Sequence, residues 1–293
     1  MAPPSIDLSH LHARTVFTRR CTSLHLIQVG CGGTGGMLAL HTARIAREAL
    51  HRYQSVSVTF IDPDIVEDKN IRRQNFCPSE VGLNKAETLA YRLNAAWGLN
   101  IKAIPHRYTP DLLTDKVSDC LTILLGCVDN AAARRALHQT LLKTNRFQND
   151  ISSIWWIDGG NSKTTGQVLL GNATTPDLLK NSFSLNNICT NLPSPALLHP
   201  ELLISKPDEQ VRRQRSCAEL AMADPQSLTI NSIIAAHMAD YLLRLTLTND
   251  LRRFATYIDM GTGSIRSLAI TPDQLRQALE HDRKLARHFL NAA

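Results

Sequence analysis

The sequence predicts an α/β protein: a Rossmann-like, doubly wound sheet, parallel in its N-terminal half and continued by antiparallel strands. Three observations carry this. Strand-like and helix-like patterns alternate over the first 150 residues. An apolar run at residues 25–29 breaks into GCGGTGG, five glycines within residues 30–36. After about residue 150 the alternation gives way to hairpin-like pairs.

The elements run in order. Residues 1–22 read as a loose or helical arm. Leu26, Ile27 and Val29 suit a buried first strand, and MLALHTARIAREAL then shows helical spacing with Leu38, Ile45 and Ala49 on its inner face. SVSVTFIDPD (55–64) alternates and ends in acids, as a second strand and its loop. KAETLAYRLNAAW (85–97) predicts a helix closed by Gly98 and Asn100. IKAIPHRY (101–108) is a short strand that Pro105 confines to an edge or end, and PDLLTDKVSD a short helix. CLTILLGCVDN (120–130) is a continuous apolar run fit for a buried parallel strand, and a helix runs from there to about Thr144. SIWWIDGGNSKTTGQVLLG (153–171) reads as two strands around a glycine-rich bend, and the polar, proline-bearing stretch after residue 186 as a long surface loop. DPQSLTINSIIAAHMADYLLRLTL (224–247) predicts an amphipathic helix, and FATYIDMGTGSIRSLAI (254–270) a hairpin turning at Gly261 and Gly263. A charged helix ends the chain.

Composition narrows the function classes. A chain of 293 residues buries a large core. No run of about eighteen apolar residues marks a membrane span. MAPPSIDLSH lacks the charged-then-apolar order of a secretory signal, so a cytoplasmic location is expected. The seven cysteines are scattered with no C-x-x-C pair, which argues against structural zinc and against a disulfide scaffold. The net charge of +6 is mild, and RRQR at 212–215 reads as solvated surface rather than a nucleic-acid contact.

Glycines at a strand-to-helix junction permit a sharp turn and close approach of a phosphate, which the free N–H groups and dipole of the helix start attract. Gly30, Gly32 and Gly35 also satisfy G-x-G-x-x-G, a weak signal shared with nicotinamide dehydrogenases. No G-x-x-x-x-G-K-[ST] sequence is present, which excludes a P-loop ATPase. Asp62 ends the second strand, where an acid accepts ribose hydroxyls. Less generic are Asn70, Arg73 and Gln74 beyond the acid, Lys85 in VGLNKAE, and Asp129 with Asn130 ending a buried strand. In an open α/β sheet these carboxyl ends converge on one crevice. A phosphate loop, a ribose acid, two cations, two amides and a further acid suit a reacting triphosphate better than a dinucleotide.

With these residues the sequence resembles the ThiF, MoeB and ubiquitin-activating-enzyme superfamily. The resemblance rests on GCGGTGG, on D-x-D-x-V-x-x-x-N-x-x-R-Q from Asp62 to Gln74, on V-G-x-x-K from Val81 to Lys85, and on Asp129–Asn130. IDGGNSKTTGQVLLG, SCAELAMADPQSLTINSIIAAHMADYLLRL and YIDMGTGSIRSLAI look most like the ThiF-type proteins of the PRTRC gene cassette, a bacterial setting. The match spans roughly residues 22–270. It implies binding of ATP and Mg²⁺ and adenylation of the C-terminal glycine of a small ubiquitin-like or sulfur-carrier protein. Gly30, Gly32, Gly33 and Gly35 would form the phosphate loop, and Asp62 would hold the ribose. Asn70, Arg73, Gln74 and Lys85 would contact the triphosphate, with Asp64 and Asn130 in the same site. Asp129 would bind Mg²⁺. A homodimer and a conjugating-type partner are also implied, with Arg14, Arg19 and Arg20 as candidates for the arginine that relatives lend to a paired subunit. The expected organisation is an arm (1–22), a nucleotide-binding half (23–150), a partner-binding half of the same domain (151–271) with a crossover loop near 186–222, and a C-terminal helix (272–293).

Members that go beyond adenylation use a cysteine thiolate, which should be accessible and near positive charge. Cys217, in RRQRSCAEL beside Arg212, Arg213 and Arg215, is the first candidate and Cys189 the second. Cys31, Cys120 and Cys127 read as packing residues. Two other readings stand beside the activating enzyme: a nucleotide-binding adaptor of the same fold without turnover, and a NAD-dependent dehydrogenase.

Overall fold

The computed structural model describes residues 8–113, 119–144, 152–205 and 228–280. In chain order its strands are β1 (Thr15–Val16), β2 (Ser23–Val29), β3 (Ser55–Ile61), β4 (Lys102–Ile104), β5 (Cys120–Gly126), β6 (Ile154–Asn161), β7 (Thr165–Gly171), β8 (Ile188–Cys189), β9 (Arg253–Asp259) and β10 (Ser264–Ala269). The helices are α1 (Gly33–Ala49), α2 (Asp68–Ile71), α3 (Lys85–Trp97), α4 (Ala131–Thr144), α5 (Pro195–Leu198), α6 (Leu228–Leu243) and α7 (Pro272–Leu279).

Eight strands form one sheet in the order β10-β9-β7-β6-β5-β2-β3-β4. From β4 to β6 all pairings are parallel; from β6 outward through β7, β9 and β10 they are antiparallel. The predicted class is therefore the observed one. The winding direction reverses between β2 and β5. Their carboxyl ends, Val29 and Gly126, lie in register across that switch. Ligand crevices open at such a point.

Both faces of the parallel part are covered, and the side-chain period of two distributes each strand between them. Leu24, Leu26, Ile123, Leu125, Trp155 and Ile157 join the core under α1, α3 and α6, whereas Ile27, Val29, Leu124 and Trp156 join the core under α4. That is why these strands read as continuous apolar runs. In α6 burial obeys the helical period through Ile230, Asn231, Ile234, Ala235, Met238 and Leu242, as predicted for residues within 224–247.

Three local readings change. The chain turns between β6 and β7 at residues 162–164, closed by Ser162 N–H to Thr165 O at 2.8 Å, and the glycines before it lie within the strand. Gly159 before the turn and Gly166 after it serve packing: a Cβ on Gly159 would stand 2.2 Å from Met238 Sδ, and one on Gly166 2.5 Å from Ile234 Cδ1, so glycine lets α6 lie directly on the hairpin. The stretch after residue 186, expected to be a surface loop, buries Cys189, Leu192, Ser194, Ala196 and Leu198 in its described part. Finally, the arm contains β1, which pairs with β8 and carries buried Val16. Polar composition hid these contacts because the pairing is short and its partner lies far along the chain.

Candidate active site

A cleft of about 2200 Å³ opens at the carboxyl ends of β2, β3, β5 and β6. Its walls include Gly30, Gly32, Gly33, Asp62, Asp64, Asn70, Arg73, Gln74, Lys85, Asp129 and Asn130. All of the predicted nucleotide residues except Gly35 thus line one cleft. Gly35 lies beneath: a Cβ there would fall 2.0 Å from Gly30 O. Gly30 takes φ +95°, and a side chain on it would meet Cys127 O at 2.4 Å. Gly33 makes room for Asn231, whose Nδ2 would be 2.6 Å from an added Cβ. Of these four, Gly32 alone would keep ordinary clearance, its added Cβ standing 3.7 Å from the Gln74 amide. The glycines therefore mainly shape the turn, and Gly32 offers its bare face to the cleft.

Gln28 locks that turn. Fully buried in β2, it donates from Nε2 to Gly35 O (2.8 Å) and Gly30 O (3.3 Å), while its Oε1 accepts from Thr42 Oγ1 (3.2 Å). It belongs to none of the motifs; its one sequence signal is a lone amide inside an apolar strand.

Asp62 is buried and accepts Cys31 N–H at 2.6 Å and Asp64 N–H at 2.8 Å. Desolvation raises its carboxyl pKa, and the two N–H groups oppose the rise. Each carboxylate oxygen keeps lone-pair capacity beyond its one N–H. Lys85 begins α3, is only 6% exposed, and reaches Asp64 Oδ2 at 3.3 Å. Asn84 sets its position. Its Oδ1 caps Ala86 and Glu87, and its Nδ2 donates to Asp62 O (2.9 Å) and Asp64 O (3.1 Å). The helix carrying the lysine is thereby tied to the loop carrying the acids. An asparagine before a helical run was the readable sign. Asn70 is buried and accepts Glu67 N–H at 2.9 Å, so it caps α2 while facing the cleft. Gln74 Oε1 is buried without a hydrogen-bond partner among the described residues.

Asp129 and Asn130 follow β5 after Cys127 and Val128. Asn130 Oδ1 accepts Ala133 N–H (2.9 Å) in the first turn of α4, leaving the exposed Asp129 carboxylate at the cleft. Among the described residues no three His, Cys, Asp or Glu side chains gather around a common metal position. One hard carboxylate beside the glycine turn still fits Mg²⁺, which characteristically takes one or two protein carboxylates and fills its shell with phosphate oxygens and water.

The cleft continues past the glycine loop onto β6, β7 and β9, where Gly160, Asn161, Lys163, Gln167 and Tyr257 line it. Two buried groups there were not anticipated. Arg134 of α4 meets Asp158 of β6 through Nε, at 3.2 and 3.1 Å from the two carboxylate oxygens. Asn231 of α6 accepts Thr34 Oγ1 (3.1 Å) and Asn161 Nδ2 (2.6 Å). Asp158 and Asn231 were single polar letters in apolar runs; Asn231 lines the cleft, and Asp158 lies beneath it and holds Arg134, which does. Further out, His199 bridges Glu201 (2.8 Å) and Tyr257 Oη (2.7 Å).

Cys189 is fully buried, and burial pushes its thiol up to about 12, so it does not meet the requirement for an accessible thiolate. Cys31 is buried, Cys127 lies just past β5 with its thiol raised by desolvation, and Cys120 is half-buried at the start of β5. Cys217 and its three neighbouring arginines lie outside the described residues. Arg14 is engaged within its own chain, donating to Phe183 O (2.7 Å) and Leu185 O (3.2 Å). No helix among the described residues is long and apolar enough to cross a membrane.

Fold and site together define a doubly wound α/β protein with an antiparallel extension and a polar cleft at its switch point. A ThiF family model matches residues 10–277, and the chain belongs to that family. No curated protein matches it. Among solved structures it is similar to PaaA (19% identity, TM-score 0.52, covering 86% of this chain and 65% of that one). It is also similar to E. coli MccB with ATP (15%, 0.52, 84% and 63%) and to E. coli MccB with AMPCPP and MccA (14%, 0.52, 86% and 65%). The chain thus spans just under two thirds of these structures, and at such identities the likeness is one of fold.

Proposed function

We propose that this protein adenylates the C-terminal carboxylate of a small protein or peptide, using ATP with Mg²⁺. The finer form of the proposal is a ubiquitin-like partner ending in glycine. The observation that carries it is the gathering of the glycine turn, Asp62, Arg73, Lys85 and Asp129 around one crevice at the switch point. Similarity to MccB solved with ATP, and with AMPCPP and MccA, supports the same chemistry.

In the reaction one oxygen of the acyl carboxylate bonds to the α-phosphorus. The bond from that phosphorus to the bridging oxygen of the β-phosphate breaks, and pyrophosphate leaves with the electron pair. No proton need move. The N–H groups at the start of α1 would hold phosphate oxygens, and Asp62 would hold the ribose. Arg73 and Lys85 would balance charge on the departing pyrophosphate. Asp129 would hold Mg²⁺, which when bound neutralises phosphate charge. Much of the rate would come from holding carboxylate and phosphorus in line. The thiolate of Cys217, or a thiol of a conjugating-type protein, would then bond to the acyl carbon while the bond from that carbon to the phosphate oxygen breaks and AMP leaves with the electron pair; pairing of two chains completes the proposal.

The test is ATP–pyrophosphate exchange with a small glycine-ended protein encoded beside this one. Exchange should require Mg²⁺ and partner and vanish in Asp129→Ala. Intact ATP binding with no exchange across several such partners would overturn the enzyme in favour of a non-catalytic adaptor.

A further inference from the structure

Asn231 presents a problem that the nucleotide residues do not solve. It is 1% exposed, and its Oδ1 is doubly used, by Thr34 Oγ1 and Asn161 Nδ2. Its Nδ2 has no hydrogen-bond partner among the described residues. A buried donor left unpaired costs about 1–3 kcal/mol, so such groups call for an explanation. The group it lacks must be an acceptor.

Location limits what that acceptor is. Asn231, Asn161 and Thr34 all line the cleft, at the start of α1. The groups suited to phosphates and ribose, Asp62, Arg73, Gln74 and Lys85, come from the chain after β3, on the side of α1 toward β3 and β4. Asn231 and Asn161 sit on the opposite side, toward β6 and β7. That arm must admit the acyl chain if the nucleotide fills the other. The two meet where the reacting carboxylate touches the α-phosphorus. Once one carboxylate oxygen has bonded to phosphorus, the other remains as the acyl carbonyl oxygen, an acceptor with no proton to give.

We propose that Asn231 Nδ2 donates to this acyl oxygen, with Asn161 and Thr34 holding the amide in the orientation that aims the N–H. The inference rests on the adenylation reading and adds to it a residue that grips the acyl group. A preformed donor at an oxygen that gains charge during acyl transfer needs no reorganisation at the moment of reaction. The Thr34–Asn231–Asn161 chain would also link occupancy of the acyl arm to the first turn of the phosphate-binding helix.

The partner's identity is not needed for the test. Adenosine 5′-sulfamate and its N-glycyl derivative differ only in the glycyl group, and the latter mimics the acyl-adenylate. Calorimetric titration of both, and of AMP, gives the affinity ratio contributed by the acyl arm. In Asn231→Ala the glycyl-to-parent ratio should fall about five- to tenfold, the size of one neutral hydrogen bond, with AMP affinity unchanged. Asn161→Ala, at the partly exposed end of the chain of amides, should lower the same ratio without loss of melting temperature, which covers the case of an unfolded Asn231 variant. An unchanged ratio in either folded variant would overturn the assignment. An equal fall for AMP would assign the amide to the phosphate loop instead. If the unmodified protein binds none of the three compounds, the adenylation reading falls first and this inference with it.

Discussion

Gly33 and Asn231, nearly two hundred residues apart, occupy the same space: an added Cβ on Gly33 would stand 2.6 Å from the Asn231 amide nitrogen. The same atom added to neighbouring Gly32 would meet only the Gln74 amide at 3.7 Å. The two glycines should therefore fail differently. Gly33→Ala should lose about 1–3 kcal/mol by overpacking, opposed by the helix-favouring effect of alanine, and Asn231→Ala in the same chain should restore part of the loss. Gly32→Ala should leave the urea midpoint almost unmoved yet weaken ATP binding. Denaturation and ATP titration of the three variants check both halves.

The Arg134–Asp158 pair joins α4 to β6 beside the cleft, with Asp158 fully buried. Removing Asp158 alone leaves a buried guanidinium without its counter-charge and should cost about 3–5 kcal/mol. The double replacement Arg134→Met, Asp158→Leu should recover most of that, because it removes both desolvation penalties. A double-mutant cycle by urea unfolding reads the coupling directly.

Asp62 should give stability an unusual pH dependence. Burial raises its pKa above the ordinary 3.8 despite two N–H donors, so the folded protein favours the protonated form. Stability from this group is full below the unfolded value and is lost as pH rises through the raised one. Asp62→Asn should flatten that decline. Equal slopes for both proteins in acid-range unfolding curves would contradict it.

Lys85 is held close to Asp64 and almost out of solvent. Lys85→Ala should lower the exchange rate about 10²–10³-fold, as for loss of one preorganised charge-stabilising group. Asn84→Ala, which frees α3 from the Asp62–Asp64 loop, should lower the rate less while also lowering the melting temperature.

Thiol labelling separates the cysteines. Cys31 and Cys189 are buried, and Cys77 is exposed. Brief iodoacetamide treatment at neutral pH, read by peptide mass, should mark Cys77 and spare Cys31 and Cys189. Rapid labelling of Cys217 would support its assignment as the acyl acceptor, and a thioester adduct absent from Cys217→Ser would complete the case.

Much of the site was legible because its residues lie at the ends of strongly patterned strands. Once residues 25–29, 55–61 and 120–126 read as parallel strands, Gly30, Asp62 and Asp129 had to meet, since all three stand just past the carboxyl ends of neighbours in one sheet. Lys85 was placed by its motif, but its burial and the hold of Asn84 came from the way α3 docks on the acid loop. Cys189 was misjudged because a polar stretch looks solvent-borne until its pairing with β1, supplied by residues some 170 positions earlier, is known.

The sequence by itself determined the class of fold, the turn between β2 and α1, and the residues that gather in the cleft just past β2, β3 and β5. These depend on periodicity and on residues close in the chain, which local steric and hydrophobic rules govern. Only the tertiary structure decided why each glycine is a glycine, and that Asn231, Asn161 and the Arg134–Asp158 pair belong to the site. Those features are contacts between distant segments, and their physical basis, close packing and the pairing of buried polar groups, has no signature in a chain read one stretch at a time.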